Sequence, residues 1–171
     1  MLTGSEDICV EPTGTYEFPF VFNGVLAKSS HQPISEEKFT VYLFDGVPGY
    51  TNTVNGKRKQ HDGMESYFLG VYKAETYTDH YDLFYGPSYG ENIFDTGRTG
   101  GENVLVFVNS YADPVLELMC LHYDKIVAIN LNHYKRFMGK AFDLGAYIDA
   151  YDIHKVLFLG DAALYAYPED F

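Results

Sequence analysis

Hydrophobic positions in the first hundred residues come in short runs that are rich in aromatic and β-branched side chains. Turn dipeptides lie beside these runs at four places: Asn23-Gly24, Asp45-Gly46, Pro48-Gly49 and Asn55-Gly56. Because such dipeptides favour tight turns, the pattern predicts strands joined by hairpins or meanders. The predicted strands lie at residues 18–27, 39–44, 50–54 and 67–72.

Residues 76–101 are rich in Gly and Tyr and have no clear hydrophobic period. This composition predicts a long ordered loop with one short strand at Asn92-Ile93-Phe94. The change of pattern near residue 100 divides the chain into a β-rich region, 1–100, that packs on a core formed by residues 101–171. At 171 residues the two regions together predict one compact domain.

Strand-like and helix-like patterns alternate in the second half of the chain. Three largely apolar runs, 103–108, 125–130 and 155–160, are typical of parallel strands that are covered on both faces. Two segments between them, 113–123 and 142–152, have apolar residues at helical spacing. Parallel strands need crossover connections, so we predict a three-layer βαβαβ sheet of flavodoxin-like type. The fold class is α/β in this part and α+β overall.

Both predicted helices have recognisable internal features. In the first, Asp113 is the predicted N-cap, Pro114 occupies the first helical position, and Cys120 lies on the buried face. Four apolar residues share one face of the second helix: Leu144, Tyr147, Ile148 and Tyr151. Both helices are therefore expected to pack on the sheet.

The chain is acidic, with 12 Lys+Arg against 24 Asp+Glu and a net charge of −12. A field of that sign repels phosphate backbones, so nucleic acid is not an expected partner. The one basic cluster, Lys57-Arg58-Lys59, follows Asn55-Gly56 and is interpreted as a charged hairpin. Tyrosine is abundant, with 16 residues against no tryptophan, which suits surfaces where rings stack on sugars.

Cysteine usage and motif spacing predict no metal and no cofactor. Cys9 and Cys120 form no disulfide framework, and neither CxxC nor HExxH spacing occurs. No run of 18 apolar residues and no signal-peptide pattern is present, so no membrane span is predicted. We expect a cytoplasmic protein as written, or an extracellular one if a leader or upstream segment has been removed.

Ser110 is the residue closest to a recognisable chemical role. It follows the apolar run 103–108 and precedes the predicted helix at 113–123. Open α/β sheets bind ligands at the carboxyl ends of their strands, where several hydrolases keep a nucleophilic serine. The alternative interpretation is a hydroxyl that caps the following helix.

Residues 102–161 carry motifs in the order found in one bacterial family. Asn109-Ser110-Tyr111 ends a strand, a second strand leads to Asn130-Leu131-Asn132, and a helix precedes the strand Val156-Leu157-Phe158-Leu159. In this order the chain resembles the C-terminal portion of the DHHW proteins. These are common in Firmicutes and related to the SGNH hydrolases and alginate O-acetylation proteins. Residues 22–30 and 80–87 are similar to further family segments.

The resemblance implies an SGNH-type sheet, Ser110 as nucleophile, and O-acetyl groups of polysaccharides as substrate. The family's Asp-His-His-Trp motif would supply the acid and base, but this chain has no Trp and lacks that motif. Asn109 stands where the family has Asp, and Asn130 and Asn132 stand where it has Asp and Arg. These departures predict a site whose charged positions have been neutralised.

Catalysis by Ser110 would need a base, an acid and oxyanion donors. Among the histidines, His133 is the best-placed candidate base because it follows the second predicted strand of the core. His80 adjoins Asp79, but adjacent side chains rarely orient one another. The amides of Ser110 and Tyr111 are the candidate oxyanion donors.

Two functional hypotheses follow. In the first, the chain is a catalytically degenerate or partial relative of serine esterases and O-acetyltransferases, with Asn109, Tyr111, Asn130 and Asn132 at the rim of its site. In the second, it is a non-catalytic module that binds carbohydrate or protein in a cleft lined by tyrosines: Tyr81, Tyr85, Tyr89 and Tyr111. The expected partners are a carbohydrate or acetylated glycan and a second copy paired through an exposed sheet edge.

Overall fold

The computed structural model of the chain describes residues 11–32, 36–59 and 79–161. Cys9, His61 and the predicted strand at 67–72 lie outside these residues. The described strands are β1 Gly14–Val21, β2 Lys38–Leu43, β3 Thr51–Val54, β4 Lys57–Lys59, β5 Glu91–Asp95, β6 Asn103–Val108, β7 Lys125–Ile129 and β8 Ile153–Leu159. The described α-helices are α1 Val25–Ser30, α2 His80–Tyr85, α3 Asp113–Leu116, α4 Leu131–Met138 and α5 Leu144–Tyr151.

Six strands form one mixed sheet in the order β4-β3-β5-β7-β6-β8, while β1 and β2 pair in a separate antiparallel sheet. β6 lies between β7 and β8 and is parallel to both, which confirms the predicted parallel core. β5 extends this core antiparallel to β7, and β3 then pairs antiparallel with β5. The described residues are therefore mixed α/β, as predicted, with strands from both sides of residue 100 in one sheet.

The central strands are covered on both faces, as their apolar runs predict. On one face, Ala112, Leu116 and Cys120 pack against the sheet. On the other face, Tyr134 of α4 and Tyr147 of α5 pack against it. Because residues 104–108 of β6 are all apolar, they can be buried in this way without an unsatisfied polar side chain.

Most strand predictions agree with the structure within two residues, but the one at 18–27 is wrong in its second half. The strand ends at Val21, and residues 25–30 form α1 instead. A hydrogen-bond pair fixes the turn: the Asn23 amide donates to Nδ1 of His80, and the His80 amide donates to the Asn23 carbonyl. This contact between distant residues turns the chain where a local pattern indicated a continuing strand.

The segment 76–101 is more regular than the predicted loop. Its described part contains α2 as well as β5, and Asp79 caps α2 by accepting hydrogen bonds from the amides of Tyr81 and Asp82. The buried side chains of His80 and Phe84 attach this short helix to the rest of the molecule. The predicted short strand at 92–94 is confirmed as part of β5.

The helix predicted at 113–123 is broken into three pieces. A 3-10 turn, Ser110–Ala112, precedes α3, and a second one, Leu118–Leu121, follows it. Asp113 is not the N-cap, because its carboxylate accepts a hydrogen bond from the Tyr89 hydroxyl at 2.7 Å. The helix predicted at 142–152 is confirmed as α5, with Asp143 as its N-cap.

β8 lies at one edge of the six-stranded sheet. Val156 is 38% exposed and Phe158 is 45% exposed on this strand. The homodimer through a sheet edge stays a prediction.

Candidate functional site

The two core strands β6 and β7 bring the predicted site residues to one edge of the sheet. In the parallel register, Phe107 of β6 is opposite Ile129 of β7, so the residues that follow both strands leave the sheet side by side. Asn109 and Ser110 follow β6, and Asn130 follows β7. This edge is where parallel sheets present ligand-binding side chains.

A cleft of about 170 Å³ lies at this edge. It brings together five residues that the sequence predicts for the site: Asn109, Ser110, Asn130, Asn132 and His133. Two of the four predicted tyrosines, Tyr81 and Tyr89, also line it. Tyr85 lines a neighbouring pocket instead, and Tyr111 is 72% exposed next to Ser110 in the chain.

Two carboxylates on the cleft, Asp82 and Asp113, were missed as site residues by sequence reasoning. The sequence predicted Asp113 as a helix N-cap. In the structure its carboxylate instead accepts a hydrogen bond from Tyr89, 24 residues earlier in the chain. Asp82 lies on α2, a helix that the hydrophobic pattern does not reveal. Their positions in the sequence could have indicated them, because Asp82 lies within the Tyr-rich stretch 76–101 and Asp113 follows closely after Ser110.

Burial perturbs the acid–base chemistry of these carboxylates. Burial raises the pKa of Asp113 to about 6, with the hydrogen bond from Tyr89 and the nearby Lys59 opposing the shift and Asp82 adding to it. Burial also raises the pKa of Asp82, and the charge of Asp79 adds to this shift. Among the described residues, neither carboxylate forms an ion pair.

Asn109, rather than Ser110, caps the short turn that follows β6. Its side-chain oxygen accepts a hydrogen bond from the Tyr111 amide at 3.2 Å, and its Nδ2 donates to Asp161 at 2.6 Å. The interpretation of Ser110 as the cap is therefore wrong. The Tyr111 amide already donates this hydrogen bond to Asn109, so it is not free to act as an oxyanion donor.

Ser110 itself is exposed, and its backbone is held by α2. The Tyr81 hydroxyl donates a hydrogen bond to the Ser110 carbonyl oxygen. Within the part of the chain that the structure describes, the Ser110 Oγ makes no hydrogen bond to a histidine or to any other residue. The serine thus lies at the expected place without a visible proton acceptor.

The histidines have different environments. His133 lines the cleft, and its ring contacts Phe137 at a centroid distance of 6.1 Å. His80 is buried, accepts a hydrogen bond from the Asn23 amide, and lies against the Phe20 ring. Burial lowers the pKa of His80, so this imidazole is a structural residue rather than a base for Ser110.

Asn130 has an unusual environment for a polar residue. It is 6% exposed and occupies the N-cap position of α4, yet its side chain makes no capping hydrogen bond. Its Oδ1 atom is buried and has no partner in the described structure. Its backbone is satisfied, because the Asn130 amide donates to Gly90 and its carbonyl accepts from His133.

Among residues 11–32, 36–59 and 79–161, no group of three His, Cys, Asp or Glu side chains is placed to hold a metal ion. None of the helices that the structure describes combines the length and the apolar character needed to cross a membrane.

The mixed sheet with a polar cleft at the end of its central strand defines a mixed α/β fold. Solved structures share this fold. PatB1 of Bacillus cereus with a sulfonyl adduct matches 94% of this chain and 50% of its own, at 19% identity and a TM-score of 0.67. A second PatB1 structure matches 77% of this chain and 43% of its own, at 23% identity and a TM-score of 0.58.

A DHHW family protein from Eubacterium siraeum DSM 15702 has the same fold. The match covers 86% of this chain and 47% of that protein, at 15% identity and a TM-score of 0.56. The chain therefore has a DHHW-like fold and spans about half the length of the solved structures it matches. No protein-family model matches the sequence, and no curated protein matches it either.

Proposed function

We propose that this chain is a catalytically degenerate or partial relative of the SGNH-type serine esterases and O-acetyltransferases that act on polysaccharides. The observation that carries this proposal is the environment of Ser110. The serine is exposed at the carboxyl end of β6, but no described histidine hydrogen-bonds to its Oγ. A serine hydroxyl is a weak nucleophile until a base removes its proton, so the position alone supplies no activity.

The likeness to PatB1 supports the proposed ancestry. One of the matched PatB1 structures carries a sulfonyl adduct, the product expected when a nucleophilic group of a protein attacks a sulfonyl reagent. In the present chain, Asn109 holds a structural turn through the Tyr111 amide and Asp161, rather than supplying an acid. An activated serine would require His133 to approach Ser110 and a carboxylate to orient that imidazole.

The activity test compares the whole chain with its Ser110→Ala variant on p-nitrophenyl acetate. We expect the same hydrolysis rate from both proteins, because no residue that the structure describes is hydrogen-bonded to Ser110 Oγ as a base. Replacing an activated serine removes most of an enzyme's rate, so the comparison is sensitive. Ser88→Ala, which alters another serine on the cleft, is the matched control.

Covalent labelling gives a second measurement of the same serine. Phenylmethanesulfonyl fluoride reacts with an activated serine, which releases fluoride and leaves a sulfonyl ester on Oγ. We expect intact-mass spectrometry to show no adduct on Ser110. Rapid labelling that Ser110→Ala abolishes, or serine-dependent turnover of the acetate ester, would refute the degenerate-site proposal.

The second candidate function is carbohydrate binding in the same cleft, favoured by the tyrosine and amide side chains that line it: Tyr81, Tyr89, Asn130 and Asn132. The side-chain amide of Asn132 adds polar groups, and the exposed ring of Tyr111 offers a surface for sugar stacking. Tyrosine and amide side chains together suit a ligand with many hydroxyl groups.

Tyr111→Ala tests this candidate with triacetylchitotriose as the probe, titrated by NMR. We expect the affinity to fall about five- to tenfold, because a ring contact contributes roughly 1 kcal/mol. Tyr42→Ala is the matched control, since Tyr42 is 59% exposed on β2 of the separate sheet. Equal losses from both variants, or no loss from Tyr111→Ala, would argue against the cleft as the binding site.

A further inference from the structure

A second cavity, of about 280 Å³, lies where β2 and the turn after it meet the end of α2 and the residues of α3. It is larger than the Ser110 cleft, and the two spaces share no lining residue. Its volume corresponds to the share of roughly nine water molecules in the liquid, which is enough for a small organic ligand. Concave spaces with apolar walls and a few polar groups are typical ligand sites.

Aromatic rings form much of the wall of this cavity. Tyr42, Phe44 and Tyr85 line it and are all at least partly exposed, with Tyr42 59% exposed. The buried ring of Phe84 lies nearly perpendicular to that of Tyr85, at 79° and a centroid distance of 4.8 Å. Because the face of each ring is electron-rich, several rings around one space attract an alkylated ammonium ion.

Glu117 supplies a negative charge at the same cavity. Among the lining residues that the structure describes, it is the one ionised side chain at neutral pH, and none is a lysine, arginine or histidine. Burial raises the pKa of Glu117, and a hydrogen bond from Tyr50 opposes this shift. Glu117 forms no ion pair with any described residue. A partly buried carboxylate in this situation favours a ligand that brings positive charge.

Lys59 is the nearby cation that could compete for this carboxylate. It lines a neighbouring pocket that Glu117 also lines. Burial lowers the pKa of Lys59, and Asp113 is the carboxylate that opposes this shift. The charge of Lys59 is therefore compensated by Asp113 rather than by Glu117. An anionic ligand would be repelled by Glu117 and by the net charge of −12.

We propose that this cavity binds a small quaternary ammonium ion such as choline, with Tyr42, Phe44 and Tyr85 around the methylated cation and Glu117 beside it. The inference is independent of the function proposed for the Ser110 cleft. A primary ammonium ion fits less well, because it is strongly hydrated and the rings do not replace its hydrogen bonds to water.

Three ligands test the proposal by NMR titration of the whole chain at about pH 8, where the carboxylate of Glu117 is ionised. Choline is compared with 3,3-dimethylbutan-1-ol, which has the same shape without the charge, and with ethanolamine, which carries the charge on a primary ammonium. We expect choline to bind about tenfold more tightly than either. Absence of choline binding, or equal affinity for choline and either comparison ligand, would overturn the proposal.

Matched variants show whether the preference arises in this cavity. Tyr42→Leu and Glu117→Gln are each expected to reduce the preference for choline over the neutral alcohol to less than about threefold. Tyr111→Leu changes a 72% exposed ring outside the cavity, and Asp149→Asn changes an exposed charge on α5; both should keep the preference. A preference that persists in Tyr42→Leu overturns the proposal. This variant decides the outcome if Glu117→Gln does not fold by circular dichroism.

Sedimentation with phosphatidylcholine vesicles distinguishes a lipid headgroup from the free ion. We expect the protein to stay in the supernatant, because the phosphate of the headgroup would lie near the carboxylate of Glu117. Sedimentation with the vesicles that Tyr42→Leu abolishes would overturn the assignment to a free ligand.

Discussion

Asp113→Asn is expected to raise the free energy of unfolding by up to about 3 kcal/mol at pH 7.5. Burial raises the pKa of Asp113 from its ordinary 3.8 to about 6. Each pKa unit corresponds to about 1.4 kcal/mol, and an asparagine oxygen still accepts the hydrogen bond from Tyr89. The measurement is chemical denaturation of both proteins monitored by circular dichroism.

The pH dependence gives the sign of this effect. Since the folded-state pKa of Asp113 is raised, the folded protein holds this proton at pH values where the unfolded chain has lost it. The contribution to stability is therefore full below about pH 4 and is lost as the pH rises through about 6. The difference between the variant and the original protein should disappear near pH 3.5.

Asp149→Asn serves as the control for Asp113→Asn, because this exposed carboxylate should change stability by less than about 0.5 kcal/mol. A less stable Asp113→Asn protein at every pH would contradict the prediction. That result would mean that attraction between Asp113 and Lys59 outweighs the cost of burial. The cleft would then already contain a compensated charge.

Leu105→Ala is expected to lower the free energy of unfolding by about 2–5 kcal/mol. Leu105 is fully buried in β6, the strand between β7 and β8, and belongs to the core that contacts α4 and α5. Removing its side chain loses apolar burial and leaves a cavity between the sheet and this helical layer. Denaturant titration of both proteins measures the loss.

Leu144→Ala removes the same atoms from a side chain that is 39% exposed at the start of α5. We expect it to cost well under half as much as Leu105→Ala, since less apolar surface is buried there. Similar losses from both variants would mean that the sheet face is not more tightly packed than the edge of the helix. The assignment of β6 as the centre of the core would then be wrong.

Hydrophobic patterns alone determined the parallel core. Residues 103–108 and 125–130 are apolar because both faces of β6 and β7 are covered, and this local property can be recognised in the sequence. The run 155–160 was correctly predicted as a parallel strand, but the prediction that both of its faces are covered is wrong, since Val156 and Phe158 are exposed on the edge strand β8. The Asn55-Gly56 turn between β3 and β4 was equally predictable, because both residues adopt the positive φ that such dipeptides favour.

Elements that depend on contacts between distant residues were not predictable in this way. α2 depends on the hydrogen bonds between His80 and Asn23, and the turn before α1 depends on the same pair. The helix predicted at 113–123 is interrupted, and its first residue, Asp113, binds Tyr89 instead of capping it. Propensity describes neighbours in the chain, whereas these contacts join residues that lie up to 57 positions apart.

The sequence by itself determined that Ser110, Asn130 and His133 lie near one edge of a parallel sheet, because the parallel direction and the ends of the strands follow from the apolar runs. Only the tertiary structure decided that Asn130 is buried with an unpartnered oxygen. Residue 90 and α4 lie close together beside it, since a Cβ atom on Gly90 would lie 2.7 Å from the Tyr134 Cα. Burial and hydrogen-bond partners depend on how distant elements pack, and the cleft takes its chemistry from that packing.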